Sequence, residues 1–309
     1  MELGNTALHA TGFVGPDITY HIHQWLSQNG QTGGIDVVQL AYNNILRRNG
    51  HLFAGKLSAI PVPGPLSGGS DLAPYAGAEI QVGEHRYQFD GMRWGASLSY
   101  VRPKLFVQAA WLGSNKEWSG AANYSQDTDK TLQWLVAYAD ANAPLEAGLF
   151  GSTGSFPLAE GGVDRYHTIA PYVQRDPGPH GIPGIFALYQ WGYDANPGLL
   201  APAAGGSMPT LRHPLFDSGM SPVSPTSAHS RAMTIEIFES LLHERALLGL
   251  RDEVTDDGLG TLTRSGNVDL DVIPFAKYDN VHLYLESGFM QGGGPVWRAM
   301  LWWAVPLGR

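Results

Sequence analysis

Apolar and polar residues alternate along most of this chain with a period of two. From Met92, the residues Trp94, Ala96, Leu98 and Tyr100 share one face, while Arg93, Gly95, Ser97 and Ser99 share the other. Alternation over that length puts one side of an extended strand in an apolar environment. After Arg102 and Pro103, the next apolar face is Leu105, Val107, Ala109 and Trp111. The rhythm returns in Leu132, Trp134, Val136 and Tyr138, and again in Met233, Ile235 and Ile237. It continues through Ala246, Leu248 and Leu250, then Val268, Leu270 and Val272. Val281, Leu283, Leu285 and Phe289 follow, and Trp297, Ala299, Leu301, Trp303 and Val305 close the series. Weaker versions lie near 5–14, 17–27, 35–45, 51–60, 145–152, 163–173 and 182–193. The pattern predicts about 14–16 strands of ~10 residues, the length a tilted strand needs to cross a bilayer.

The connections predict antiparallel neighbours. Arg48-Asn49-Gly50, Asp140 through Pro144, and Asp279-Asn280 are short and rich in turn formers. Parallel neighbours would need helical crossovers. The single helix-like stretch, Glu236 to Gly249, also fits two strands with a turn near Leu242-His243. Two segments break the rhythm, 61–90 and 194–230, and both are rich in proline. Proline cannot sit in a central ladder, so both are expected as long loops. Shorter loops are expected near 114–128, 153–162 and 254–265. Short turns at one rim and long loops at the other is the arrangement of bacterial barrels. The expectation is one domain over 1–309: an all-β, closed antiparallel transmembrane β-barrel of about 14–16 strands with long loops at one rim.

The distribution of charge favours lipid over a soluble sandwich. Arg93, Glu236, Arg245, Arg251, Asp269, Asp271, Glu286 and Arg298 are read as mid-strand residues on the polar faces, and the apolar faces carry almost no charge. A charge facing lipid near the midplane costs about 2–4 kcal/mol, which explains such a division. Trp and Tyr gather near strand ends, as in interfacial girdles: Tyr20, Trp25, Tyr42, Trp94, Tyr100, Trp111, Tyr189, Trp191, Tyr193 and Trp303. A soluble β-sandwich that binds glycans is the alternative; it would bury its apolar faces against a second sheet.

Composition narrows the classes. Charged residues are only 15% of the chain, below the usual quarter. The net charge of −9 argues against nucleic acid. Without cysteine there is no disulfide, thiolate metal site or CxxCH haem attachment. No apolar run is long enough for a membrane helix. Met1-Glu2-Leu3-Gly4-Asn5 lacks a basic and then an apolar region, so a processed chain is expected. No GxSxG, HExxH or Walker spacing is present, and no enzyme and no cofactor are expected.

The amphipathic strands, short turns and Pro/Gly-rich loops together resemble the outer-membrane porin-like barrels of Gram-negative bacteria. The segment His51-Leu52-Phe53-Ala54-Gly55-Lys56-Leu57, running into Ile60-Pro61-Val62-Pro63, is similar to a strand and loop of uncharacterised barrels, some of which accompany multihaem cytochromes. The resemblance implies a location in the outer membrane, lipid as a partner and, from that one segment, a multihaem cytochrome as a second. An oligomer is compatible with it. Such barrels end on an aromatic residue, whereas this chain ends Val305-Pro306-Leu307-Gly308-Arg309, so that signal is expected to be displaced or absent.

Three constellations are candidates for chemistry. Arg93, Glu236, Arg245, Arg251, Asp269, Asp271, Glu286 and Arg298 are expected to line the lumen, either as a selectivity surface or as mutually neutralising charges. Their mixed signs argue against strong selectivity for one ion class. His21 and His23 fall on one strand face and make a candidate metal pair, with His9 or His51 as a third ligand; two polar lumen histidines are the plainer alternative. Asp252, Glu253, Asp256 and Asp257 are expected as an acidic loop, with Asp127, Asp129 and Asp217 in other loops. The function expected is passage of small polar solutes through a mixed-charge lumen. The alternatives are a barrel that sheathes or docks an electron-transfer cytochrome, and the soluble glycan-binding sandwich.

Overall fold

The computed structural model describes residues 6–28, 31–46, 49–58, 64, 75, 77, 79–82, 85–89, 92–113, 130–140, 144–157, 163–178, 181–197, 227–242, 245–274, 281–290 and 295–303. The described strands are β1 (Thr6–Phe13), β2 (Ile18–Gln28), β3 (Gln31–Thr32), β4 (Ile35–Ile45), β5 (Gly50–Ser58), β6 (Glu79–Val82), β7 (His85–Gln88), β8 (Met92–Arg102) and β9 (Leu105–Leu112). They continue as β10 (Lys130–Asp140), β11 (Leu145–Pro157), β12 (Val163–Arg175), β13 (Gly184–Asp194), β14 (Ala228–Leu241), β15 (Ala246–Asp256), β16 (Leu262–Val272), β17 (Val281–Met290) and β18 (Val296–Trp303). All but β3, β6 and β7 follow one another in a single antiparallel meander of fifteen strands, inside the expected range. β3 pairs with the end of β2, and β6 and β7 form a separate hairpin.

A meander sends successive connections to alternate rims. The connections spanning 59–91, 113–129 and 195–227 therefore leave one rim, and the turns at 14–17, 46–49, 103–104, 141–144 and 242–245 leave the other. The helix-like stretch resolves as β14 and β15. Leu242 takes the left-handed conformation (φ 55°) that reverses the chain between them. The meander has an odd number of strands, so β1 and β18 run in the same direction, and no pairing joins them among the described residues.

The two faces of the sheet invert the usual order of a soluble protein. On β14, Ile235 is 43% exposed and its neighbour Thr234 is 0% exposed. Leu98, Trp111, Val136, Leu250, Val268 and Leu285 are exposed on the same outer face. Ser97, Gln108, Gln133, Ser152, Thr168 and Gln190 are buried on the inner one. Among the described residues no second sheet covers the outer face, so the packing of a sandwich is missing.

Several expectations are corrected. The segment 61–90 is not simply a rim loop. Its Tyr75, Ile80, Val82, Tyr87 and Phe89 are buried against the inner wall. Tyr75 and Phe89 join Ala110, Leu112, Leu135, Phe150, Phe186 and Leu188 in one cluster, because apolar side chains on both surfaces are removed from water together. Gly77 permits the close approach: a Cβ there would collide with Leu188 Cδ2. The loops expected near 153–162 and 254–265 are shorter, since β11 runs to Pro157 and β15 to Asp256. The expected loop 114–128 and most of 194–230 lie outside the described residues. Trp25 is no girdle residue; it sits over His23, ring centroids 4.6 Å apart. Trp94, Trp111, Tyr42 and Tyr189 do stand exposed, although Tyr189 is mid-strand.

Candidate functional site

The inner wall is built from alternate residues of consecutive strands, so cross-strand register decides which of its charges meet. Glu236 on β14 opposes Arg251 on β15, and Asp269 on β16 opposes Glu286 on β17. Arg251 opposes Asn267, whose amide donates to Glu286 Oε1 at 3.3 Å. All four charged residues are buried: Glu236 is 0% exposed and Arg251 4%. Arg251 Nε lies 3.7 Å from Glu253 Oε2, and the Thr234 hydroxyl donates to Glu253 Oε1 at 2.8 Å. Tyr75 seals this cluster from the interior side. Its hydroxyl donates to Glu236 Oε2 at 2.5 Å, and its ring lies under the Arg251 guanidinium, 4.8 Å from centroid to Cζ. The ring quadrupole favours a cation in that position.

A second polar cluster holds the other end of the inserted segment. Tyr87 donates its hydroxyl to Asp194 and packs its ring at a tilt against Tyr166, centroids 4.4 Å apart. Burial first, and the Asp194 carboxylate second, push the Tyr87 hydroxyl pKa up and keep it a donor. Tyr166 shares a hydrogen bond with Thr131, which also accepts from Arg93 at 2.9 Å. Arg93 further donates to the Gly113 carbonyl at 2.6 Å. Arg93 therefore belongs to the anchorage of the segment and does not join the Glu236–Arg251 group.

The remaining candidates are distributed. Arg245 is corrected: it stands in the turn before β15, where it donates to the carbonyls of Ile273 and Pro274 at 3.0 Å each. It braces the rim. Asp271 is near the end of β16, 3.1 Å from His282 Nδ1, with both side chains about a fifth exposed (20% and 21%). Arg298 opposes Glu286 in the β17–β18 ladder, and its side chain lies outside the described residues. The acidic run at 252–257 is corrected too. Through Asp256 it belongs to β15, and the period of two splits it: Glu253 faces inward and is buried, while Asp252 faces outward. There Arg264 binds Asp252 with a two-pronged pair at 2.9 and 2.8 Å. Asp127, Asp129 and Asp217 lie outside the described residues.

The histidines lie at the other end of the sheet. His9 opposes His23 across β1 and β2, with rings stacked at 4.0 Å, and His21 lies 6.0 Å from His9 on the same face. His51 is elsewhere, with its Nδ1 at 3.0 Å from Asn43 Oδ1. Among the described residues no three His, Cys, Asp or Glu side chains are placed to hold a metal ion. Tyr75, Thr234, Glu253 and Asn267 are site residues that the sequence reading missed. The alternation of β15 and β16 carried the signal for Glu253 and Asn267.

On the outer face of β15–β18, Leu248, Val268, Leu270, Leu285, Trp297 and Ala299 line an apolar groove of about 600 Å³.

No protein-family model matches the chain, and no curated protein matches its sequence. Solved structures do match. The anion-selective porin from Comamonas acidovorans aligns with a TM-score of 0.57 at 12% identity, covering 95% of this chain and 83% of the porin. The loop L8 deletion mutant of OmpT, an outer-membrane protein of Vibrio cholerae, gives 0.57 at 11%, covering 93% and 84%. The outer-membrane channel DcaP of Acinetobacter baumannii gives 0.52 at 13%, covering 96% and 82%. With its single antiparallel meander, polar on one face and apolar on the other, the chain has the porin-like fold of these outer-membrane channels.

Proposed function

We propose that the wall closes into a barrel in the outer membrane and passes small polar solutes along the part of its inner face that the inserted segment leaves open. The observation that carries this reading is the inversion of the faces: a polar inner surface enclosed by an apolar one has use only where lipid lies outside and water within. The segment from Tyr75 to Phe89 covers β9 through β14, so solute moves past β1–β5 and β16–β17, where Asn43, His51, Asp271 and His282 are partly exposed. Among the described inner-face residues of that open part, Asp271 is a partly exposed carboxylate and no Lys or Arg side chain accompanies it, which favours small cations over anions.

Planar-bilayer recording tests this. Purified protein should give discrete conductance steps, with a reversal potential in a KCl gradient displaced toward cations. Gly77→Val, which drives the segment off Leu188, should raise the step size severalfold. A protein that shows the heat-modifiable gel shift of a folded barrel but stays electrically silent, with and without that substitution, overturns the channel.

A further inference from the structure

The outer face carries an accumulation of positive charge in one region. Lys130, Arg165 and Arg231 stand exposed on it, on β10, β12 and β14. Register brings Lys130 and Arg165 near one another: Lys130 opposes Ser155, and Ser155 opposes Arg165. Arg231 is level with Ile169, two strands across from β12 and four residues along it from Arg165. One step along the strands, His167 opposes Tyr193, and Tyr193 opposes His229. Trp191 opposes Arg231. The rings between the arginines form a continuous pad, with centroids 5.1 Å apart for His167 and Tyr193, 5.2 Å for Tyr193 and His229, and 5.7 Å for Trp191 and His229.

All these residues lie at the strand ends that feed the long connections. A cation on the lipid side costs about 2–4 kcal/mol at the midplane and about 0–1 near an interface, so these cations mark the polar layer of the bilayer. Long connections mark the extracellular rim. Among the described outer-face residues of β10–β14 at this rim there is no acid. Asp256 on β15 opposes Arg231, and its carboxylate is engaged by the Gly258 amide at 2.9 Å. Asp252 is taken by Arg264. At the other rim the cations are answered differently: Lys104 is 2.6 Å from Asp140, and Arg102 lies over the Tyr100 ring.

The geometry points to a binding surface for a phosphate-bearing glycolipid headgroup of the outer leaflet. Guanidinium groups pair with phosphate oxygens in two-pronged, charge-assisted hydrogen bonds. The imidazoles add donors, and the Trp and Tyr rings suit the boundary between headgroup and acyl chain. The inference rests on the membrane reading above, and the test separates the two. Wild-type protein and the double variant Arg165→Gln/Arg231→Gln are folded in detergent with a chelator present and checked for the heat-modifiable shift. Each is then titrated with bisphosphorylated lipid A, its dephosphorylated form and inorganic phosphate, and occupancy is read by native mass spectrometry. Wild type should retain bisphosphorylated lipid A, and the double variant should bind it about tenfold or more weakly. Arg175→Gln, on the outer face at the opposite rim, should behave as wild type. Equal binding by wild type and double variant, equal binding of the dephosphorylated form, or displacement by millimolar phosphate overturns the inference and leaves the channel standing. Absence of the gel shift in the wild type removes both.

Discussion

The inner wall has two halves that share a backbone and differ in everything their side chains do. Across β9–β14 it is covered: Leu112, Phe150, Phe186 and Leu188 pack on Tyr75 and Phe89, and Gln190 and Glu236 are 0% exposed. Across β1–β5 and β16–β17 it presents His21, Asn43, His51, Asp271 and His282, partly open and polar. The first half is a protein interior with charges embedded in it. The second is a wetted surface. The difference shows that one meander can supply both a packed core and a partly open polar face, with the assignment decided by where a segment outside the meander lies. Val37, Ala41 and Leu57 are apolar on the inner face of the open half as well, but the buried cluster that packs on Tyr75 and Phe89 is drawn from β9–β14.

The largest contrast should appear in accessibility. The chain has no cysteine, so each introduced thiol reports alone. Asn43→Cys should react with a membrane-impermeant thiol reagent orders of magnitude faster than Gln190→Cys in folded protein. Comparable rates would erase the distinction between the halves. Next in size is the cost of an embedded charge. Arg251→Met leaves Glu236 and Glu253 buried without their cation and should destabilise the fold by about 3–5 kcal/mol, measured by denaturant titration in detergent. The same loss of charge outside the covered wall, Lys56→Met on the outer face of β5, should cost far less, since the Lys56 ammonium reaches the Ile35 carbonyl at an exposed site. Smallest is the comparison between outer and inner faces. Ile235→Arg places a charge toward lipid and should cost about 2–4 kcal/mol. Gln39→Arg, on the inner face of the open half, should leave stability nearly unchanged and weaken the preference for cations. Equal costs for the two arginines would mean that the outer face does not meet lipid.

The strands were legible because their signal is local. Residues 92–100 alternate without a break, and β8 follows them; β9 keeps its outer face at Leu105, Val107, Ala109 and Trp111 although Phe106, Ala110 and Leu112 on its inner face are apolar too. The stretch from Glu236 to Gly249 was ambiguous by period alone, and the reversal at Leu242 decided it. The inserted segment was not legible as such. Its proline and glycine content announces a departure from the ladder, but Tyr75 and Tyr87 find partners far along the chain, and no periodicity encodes a distant contact. The acidic run at 252–257 misled for the opposite reason. Its composition is that of a loop, while its alternation, which puts Glu253 and Asp252 on opposite faces, is that of a strand. Arg245 was displaced from the wall by a single-residue matter, the place where the turn ends.

The sealing of the covered half has a consequence for the order in which the molecule forms. Tyr75 and Glu236 are 161 positions apart, and Tyr87 and Asp194 are 107 apart. Loops of that length close last, after neighbouring hairpins have formed from contacts near in sequence. The wall is therefore assembled across many strands before the two tyrosines have anything to bind. Glu236 Oε2 and Asp194 gain the tyrosine hydrogen bonds only at that moment, so the seal doubles as a checkpoint on a finished wall.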